Sequence, residues 1–170
     1  MPIEMPEQDP CHICQVVNGV DNTWTRVEER DLCLSLMSAE QFEIGQCVVV
    51  PRRHAGTLVD LTSDEGLEIM IAAQRLMRAF IKAYDPLGVL LFQNNGAYSG
   101  QRTPHFHLHV IPRQVGSDWG VGPPQLARLQ NAGRIGPPEH VVLGSERLSR
   151  VSTTPEVLLQ RAEHLRKFLA

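Results

Sequence analysis

The chain has 170 residues, carries a formal net charge of −3 at pH 7, and contains 42% hydrophobic and 21% charged residues. These values are typical of a globular chain of about one domain with some extra length, and they argue against a disordered or fibrous protein. The slightly acidic balance provides no global field that would attract a nucleic acid polymer, so we expect no such partner.

The N-terminal segment and the cysteines bear on location. The first seven residues are acidic and interrupted by prolines, whereas a secretory signal needs a basic start and an apolar stretch. Apolar runs such as 47–50 are far shorter than the ~20 residues that span a bilayer. Cys11 and Cys14 form a C-x-x-C, which fits a reducing compartment better than a disulfide framework. We therefore expect a cytoplasmic protein with no membrane partner.

The first two strands are predicted on either side of a glycine. Leucines at positions 32, 34 and 36 alternate with other residues, which is the two-residue period of a strand. Residues 47–50 include a β-branched run that is stopped by Pro51, which predicts a second strand. Because the connection contains Gly45, we expect these strands to form a hairpin.

A helix is predicted from Thr62, because Thr62 and Glu65 occupy the two ends of a capping-box pattern. The apolar residues that follow at helical spacing are Ile69, Ala73, Leu76 and Phe80. We expect this helix to end near 85–86. The apolar run 89–92 then predicts a buried strand, and the Asn- and Gly-rich segment 94–100 predicts a polar turn that leads into a group of histidines.

Glycines and prolines become frequent after Pro112, which predicts an irregular arm over residues 114–153. Thr154 followed by Pro155 indicates the start of a terminal helix. Its apolar stripe consists of Leu158, Ala162, Leu165 and Leu169. We expect the arm and helix to cover a partner protomer or the functional site, and the alternative is that the helix packs on its own protomer. The predicted fold class is α+β, with a mostly antiparallel sheet and one main helix, plus this irregular C-terminal arm and terminal helix.

Three histidines, His105, His107 and His109, alternate with Phe106, Leu108 and Val110. On a strand, alternate side chains share a face, so the imidazoles would stand in a row at roughly 6.6–7 Å intervals. A neutral imidazole is a nucleophile near pH 7, so the middle histidine could attack phosphorus without a metal. The competing interpretation is a metal site, because His-x-His on a strand also presents imidazoles to zinc.

The segment 105–111 resembles the signature of the histidine-triad (HIT) family, in which three histidines alternate with apolar residues. Segment 49–54, which ends in a proline and His54, looks like the family's strand with a fourth histidine. Segment 94–101 looks like its phosphate-binding loop. The resemblance covers residues 11–113, about two-thirds of the chain. It therefore implies a HIT domain over 11–113 and a C-terminal extension over 114–170.

The resemblance implies an enzyme that hydrolyses or transfers nucleoside monophosphates, usually as a homodimer. His107 would be the nucleophile and His109 would contact the α-phosphate. Gln101 would face the scissile bond, Asn94 would lie near the nucleotide, and Gly100 would belong to the phosphate-binding loop. The implied substrate is a purine nucleotide, either a nucleoside phosphoramidate or a dinucleoside polyphosphate.

One position departs from the family pattern. Members usually carry Asp or Asn seven residues before the position of Gly45, where it binds ribose hydroxyls, but this chain has Ser38. A serine can bond one hydroxyl and cannot chelate two as an ionised carboxylate does. This departure keeps open a non-catalytic nucleotide-binding or adaptor protein, beside the other alternative of a metal-dependent phosphoesterase with the triad as ligands.

Members with an N-terminal C-x-x-C resemble this chain further, because in them two cysteines and two histidines often bind zinc. The implied ligand set is Cys11, Cys14, His54 and His105, which suits closed tetrahedral coordination. Such a zinc would be structural. Cys33 and Cys47 are predicted to be core residues, since free cysteine packs as a small hydrophobe.

Overall fold

The computed structural model describes residues 3–38, 40–114 and 151–169. The described strands are β1 (Thr25–Glu29), β2 (Cys33–Met37), β3 (Glu40–Gln41), β4 (Cys47–Pro51), β5 (Gly88–Phe92), β6 (Leu108–Arg113) and β7 (Val151–Ser152). The described α-helices are α1 (His12–Val17), α2 (Ser63–Tyr84) and a C-terminal helix (Pro155–Arg166). Five strands form one sheet in the order β1-β2-β4-β6-β5, and β3 pairs with β7. Every pairing is antiparallel, so the predicted α+β class is confirmed.

The predicted pairing of the first two apolar strands is confirmed by β2 and β4. Leu34 lies opposite Val50, and Leu36 lies opposite Val48. All five residues of each strand are buried, which is consistent with their central place in the sheet. The β-branched run of β4 fits this position because branched side chains pack well on a pleated, covered surface.

Helix α2 begins and ends where the sequence predicts. The Thr62 side chain accepts a hydrogen bond from the Glu65 backbone N–H, and the Glu65 carboxylate accepts one from the Thr62 N–H. Both halves of the capping box are therefore formed. The helix ends at Tyr84, its C-cap Asp85 adopts a left-handed φ of 45°, and Pro86 follows.

The prediction that residues 89–92 form a buried strand is half correct. They belong to β5, but β5 is an edge strand that pairs only with β6 among the described strands, and these apolar residues are half-exposed. An apolar run shows that a strand can be covered on both faces, but it does not specify what covers it. The described part of the chain leaves much of this strand uncovered.

The C-terminal helix is confirmed, with Thr154 as its N-cap and Pro155 in the first turn. Its stripe is buried in the chain's own core, where Leu158, Ala162 and Leu165 are at most 1% exposed. The expectation that this stripe covers a partner is therefore wrong, and the alternative of packing on its own protomer is correct. Most of the predicted arm, at 115–150, lies outside the described residues.

The two faces of the sheet are covered by different elements. Helix α2 and the C-terminal helix pack on the face that carries Cys33, Cys47 and Val49, so both cysteines are core residues as predicted. The opposite face carries the alternate residues of β2 and β4 and is partly covered by α1. His109 lies directly opposite Val48 on β4, which places it on this second face. The helices described here include none long and apolar enough to cross a membrane.

Candidate active site

The histidine row is only partly a strand. The side chains of Phe106, Leu108 and Val110 enter the core as the alternation predicts. However, β6 begins at Leu108, so the prediction of one strand across all three histidines is wrong for His105 and His107. The ladder between β4 and β6 extends only to Val49 opposite Leu108. Further along β4 stands Pro51, which has no N–H with which to continue the ladder.

The segment before β6 is held by other contacts. The Phe106 N–H donates to the Ala55 carbonyl at 2.6 Å, outside the strand ladder. The rings of His107 and His109 stay adjacent, with centroids 5.0 Å apart and planes at 80°. The two histidines that the resemblance assigns to chemistry are therefore brought together.

His107 is held by the backbone of another histidine. Its Nδ1 atom lies 2.7 Å from the His105 carbonyl oxygen, so Nδ1 carries the hydrogen and donates it. The neutral ring therefore has its lone pair on Nε2. Burial lowers the pKa of His107, and the hydrogen bond to the His105 carbonyl opposes this shift in part. His107 is thus a neutral imidazole with a nucleophilic Nε2 at neutral pH.

His109 has an aromatic neighbour and a polar one. Its ring stacks on Phe92 with centroids 4.3 Å apart and planes at 12°, and its Nδ1 lies 3.1 Å from the side-chain nitrogen of Gln46. Gln46 was not predicted as a site residue. Its position held a signal, because Gln46 is two residues before Val48, and alternate residues of a strand share a face with one another.

Four side chains form a candidate metal centre, and they are the four predicted ligands Cys11, Cys14, His54 and His105. One ligand atom from each lies within 4.8 Å of the others. The Cys14 sulfur is 3.2 Å from Nδ1 of His54 and 3.4 Å from Nδ1 of His105, and the Cys11 sulfur is 3.8 Å from Nδ1 of His105. Tetrahedral zinc, with its usual bond lengths to sulfur and nitrogen, requires sulfur–nitrogen separations of about 3.6 Å. The four residues therefore fit a zinc ion.

The surroundings of the centre favour the same ion. His105 donates from Nε2 to the Pro51 carbonyl at 3.0 Å, which leaves Nδ1 free to bind a metal. Burial lowers the pKa of His105 to about 4, so its ring is neutral. Burial raises the pKa of Cys14 to about 11, and the neighbouring Cys11 adds to the shift. The Cys14 thiol is thus a poor thiolate on its own, and a bound dication would favour its deprotonation.

Gln101 is buried, and its side chain forms hydrogen bonds with backbone groups of the loop at 94–103 and of Gly56. Its Oε1 accepts from the Gly96 N–H at 2.7 Å, and its Nε2 donates to the carbonyls of Gly56 at 2.8 Å and Thr103 at 2.9 Å. The same Nε2 is 3.4 Å from the His105 carbonyl. Backbone groups thus occupy both ends of its amide, and that Gln101 faces a scissile bond stays a prediction.

The other predicted binding residues lie near this loop or at the end of β2. Gly100 has a φ of 90°, and a Cβ there would meet the Asn94 side-chain nitrogen at 3.4 Å. The two residues are thus adjacent, as the resemblance implies. Ser38 follows β2, is 8% exposed, and accepts a hydrogen bond from the Glu40 N–H at 3.2 Å. Its hydroxyl is therefore already engaged in a local turn.

The N-terminal segment also contacts the loop, which the sequence did not predict. The Ala97 N–H donates to the Glu4 carbonyl at 2.8 Å. A Cβ on Gly96, whose φ is 92°, would lie 2.4 Å from Ile3. Gly96 is therefore required both for its left-handed backbone and for the close approach of this segment.

Comparison with known proteins decides the family, because the HIT domain description matches residues 21–116. The chain belongs to the HIT family. The adenosine 5′-monophosphoramidase of Schizosaccharomyces pombe is 28% identical over 112 residues, covering 66% of this chain and 80% of its own. An adenylylsulfatase of Arabidopsis thaliana is 27% identical over 107 residues, covering 63% of this chain and 54% of its own. The HIT family therefore includes nucleotide hydrolases.

Solved structures of HIT proteins share the fold. A zinc-bound histidine triad family protein from Mycobacterium smegmatis has a TM-score of 0.67 at 22% identity, covering 94% of this chain and 93% of its own. At that identity the similarity concerns the fold. The Cys11, Cys14, His54 and His105 cluster fits the zinc-site branch of the HIT family that the sequence resembles.

Proposed function

We propose that this HIT protein is a nucleotide hydrolase or nucleotidyl transferase that cleaves a bond at an α-phosphate through a covalent nucleotidyl-His107 intermediate. The observation that carries this proposal is the 2.7 Å hydrogen bond from Nδ1 of His107 to the His105 carbonyl. It leaves the Nε2 lone pair available, and burial keeps the ring neutral. These are the two properties that a histidine nucleophile needs.

The reaction proceeds in two steps. The Nε2 lone pair of His107 attacks the α-phosphorus, a P–N bond forms, and the bond to the leaving group breaks with its electron pair going to that group, which takes a proton from solvent. The charge on the resulting imidazolium is stabilised by the His105 carbonyl, which still accepts from Nδ1. A water or another acceptor hydroxyl then attacks phosphorus and loses its proton to solvent. The P–N bond breaks, and its electrons return to Nε2.

The remaining site residues bind or position the nucleotide. His109 contacts a phosphate oxygen, and the loop that contains Asn94 and Gly100 presents backbone N–H groups to the anion. Gln101 acts through its backbone contacts by holding that loop in shape. Ser38 lies at the ribose end, where it offers one hydroxyl in place of a carboxylate.

Membership of the HIT family supports a proposal for the substrate class. We propose a purine nucleoside phosphoramidate or a dinucleoside polyphosphate, in keeping with the phosphoramidase that this chain resembles. The adenylylsulfatase, of which the matched region spans 54%, adds sulfate to the proposed leaving groups. Ser38 weakens ribose recognition, so we expect little preference for a ribonucleotide over its 2′-deoxy analogue.

We also propose that Cys11, Cys14, His54 and His105 bind one structural zinc. The set is complete, and the sulfur–nitrogen separations of 3.2 to 3.8 Å fit tetrahedral geometry. Zinc in a closed site of this kind supplies stability and no open coordination position. The alternative of a triad that binds a catalytic metal is less well supported, because the cluster in the described residues includes His105 and not His107 or His109.

A homodimer is proposed on a different surface from the C-terminal stripe. Apolar side chains of α2 are exposed, including Leu67 at 63% and Ile81 at 60%, and the apolar edge strand β5 is half-exposed. A second copy would cover these residues. Light scattering should give the mass of two chains, and Leu67→Glu should give the mass of one, whereas Val20→Glu, at an exposed residue after α1, should leave two. A single-chain mass for the unaltered protein would rule out the dimer.

The activity is tested with a substrate panel. Adenosine and guanosine phosphoramidates, adenylyl sulfate and dinucleoside polyphosphates are incubated with the full chain and with His107→Asn, and monophosphate release is followed. Turnover by the unaltered protein alone supports the proposal. Tight nucleotide binding without turnover of any substrate would instead favour the non-catalytic binding protein that Ser38 keeps open.

A further inference from the structure

The side chain of Gln46 bridges a turn and the histidine pair. Gln46 directly precedes β4 and is 3% exposed. Its Oε1 accepts a hydrogen bond from the Phe42 backbone N–H at 2.7 Å. Its Nε2 lies 3.1 Å from Nδ1 of His109. Both ends of the amide are therefore engaged, one by the backbone and one by an imidazole.

The backbone contact fixes which end of the amide is which. A backbone N–H can only donate, so the Gln46 atom that faces Phe42 must be the oxygen. The atom that faces His109 is then the nitrogen, which can only donate. Nδ1 of His109 must accept this hydrogen bond and carry no hydrogen of its own. The neutral ring of His109 therefore has its hydrogen on Nε2.

We propose that Gln46 is a positioning residue that holds His109 as the Nε2–H tautomer. The two neighbouring imidazoles are then opposite tautomers. His107 has its hydrogen on Nδ1, where the His105 carbonyl accepts it, and its lone pair on Nε2. His109 presents an N–H instead. One ring can attack phosphorus while the other donates to a phosphate oxygen, and this last role rests on the proposed function.

The Phe42 contact and the neighbouring Phe92 ring make the arrangement hard to reverse. Rotating the Gln46 amide would bring its NH₂ against the Phe42 N–H and leave two donors facing one another in a buried place, which is costly. Phe92 stacks on the His109 ring at 4.3 Å and opposes reorientation of the ring. The stacking thus restrains the ring orientation, and the hydrogen bond from Gln46 sets the tautomer.

The direct test is the tautomer in the free protein. Long-range ¹H–¹⁵N correlation spectra of the ¹⁵N-labelled full chain, at a pH where His109 is neutral, report which ring nitrogen carries hydrogen. The His109 signals are assigned by their loss in His109→Asn. We expect Nδ1 to give the resonance of an unprotonated nitrogen and Nε2 that of a protonated one. The opposite pattern would overturn the proposal.

Gln46→Glu provides the matched variant. A carboxylate still accepts from Phe42, but it can only accept from His109, so the tautomer should change to Nδ1–H. We expect kcat/KM to fall about 10- to 100-fold, as for loss of an outer partner that orients an imidazole. Gln74→Glu adds the same charge on an exposed position of α2 and should change neither the spectrum nor kcat/KM. An unchanged His109 spectrum in folded Gln46→Glu would contradict the inference.

The outcome for Gln46 is separable from that of the proposed function. The spectrum is recorded without substrate, so the expected tautomer together with no turnover would refute the enzyme and not the role of Gln46. Turnover through His107 together with the opposite tautomer would refute the role of Gln46 alone. If Gln46→Glu fails to fold, the spectrum of the unaltered chain still decides.

Discussion

Nδ1 of His107 lies 2.7 Å from the carbonyl oxygen of His105, while the ring of His105 belongs to the candidate metal centre. One residue thus contributes its side chain to the Cys₂His₂ cluster and its backbone to the proposed nucleophile. The Nε2–H of His105 is bonded to the Pro51 carbonyl at 3.0 Å, which anchors the ring to β4. A change that displaces the His105 backbone should therefore alter the hydrogen bond that orients the His107 ring.

The first prediction concerns the metal centre. The double variant Cys11→Ser, Cys14→Ser should lose zinc, from about one equivalent to a small fraction of it, because two of the four ligands are replaced. Its melting temperature should fall by on the order of 5–10 °C. Elemental analysis and thermal unfolding measure the two effects. The chemical step, followed well below the melting temperature, should change less than stability, because the His105 carbonyl remains part of the backbone.

Cys33→Ala is the control for that variant. Cys33 is a fully buried core cysteine, so its truncation also lowers stability, but it should leave one equivalent of zinc in place. Zinc content that is unaffected by replacing Cys11 and Cys14 would remove the proposed ligand set.

The second prediction tests whether the Gln101 side chain stabilises the loop or acts on the reacting bond. Gln101→Leu leaves the Gly96 N–H and the carbonyls of Gly56 and Thr103 without their present partner, so unfolding free energy should drop by about 2–4 kcal/mol. KM should rise because the loop loses its shape. Denaturant unfolding and steady-state kinetics measure both. A large loss of kcat at unchanged stability would instead show that the side chain acts on the reacting bond.

Glycine substitutions test the third point, the fit of the N-terminal segment on the loop. Gly96→Ala introduces a Cβ 2.4 Å from Ile3 at a residue with φ of 92°, so stability should fall by about 1–3 kcal/mol and KM should rise. Gly66→Ala, on α2 with no atom within 4 Å of the new Cβ, should raise stability by about 0.4–1 kcal/mol. If denaturant unfolding gives the two variants the same change in unfolding free energy, the contact between the N-terminal segment and the loop does not stabilise the protein.

The acid side of the pH profile is the fourth prediction. Burial disfavours the charged ring and lowers the pKa of His107 from its ordinary value of 6.5. The nucleophile therefore stays neutral as pH falls through 6.5 and is lost only at lower pH. For a substrate whose phosphate does not titrate in this range, kcat/KM should fall with a midpoint below 6.5. A midpoint at or above 6.5 would contradict this account of the nucleophile.

Local signals in the sequence predicted much of the fold. The capping box at Thr62, the break at Pro86 and the proline after Thr154 each act within one turn of the chain, and each element begins or ends at its predicted place. Several short elements were missed, β1 and α1 among them. Strand β1 buries only Val27 among its residues, and α1 has six residues, too few for a helical period to show.

The candidate site was predicted less completely, because parts of it depend on contacts that are distant in sequence. The four metal ligands follow from the family motif, and the structure brings them together. Gln46 meets His109 only through the pairing of two strands, and its role depends on which end of an amide faces Phe42. The ladder between β4 and β6 likewise ends at Leu108, where the facing part of β4 leads to Pro51. Neither relationship is visible in one segment alone.

The central claim is that His107 carries the nucleotide during turnover. The most direct measurement uses a slow substrate, a rapid quench in alkaline denaturant that preserves P–N bonds, and mass spectrometry of the intact chain and its peptides. We predict a nucleotidyl adduct on the peptide that contains His107. His107→Asn should form no adduct and should lose about 10⁴-fold or more in kcat. The control His164→Asn should form the adduct and turn over like the unaltered protein. Turnover with no adduct at any time, together with an active His107→Asn, would contradict the covalent mechanism and leave direct attack by water.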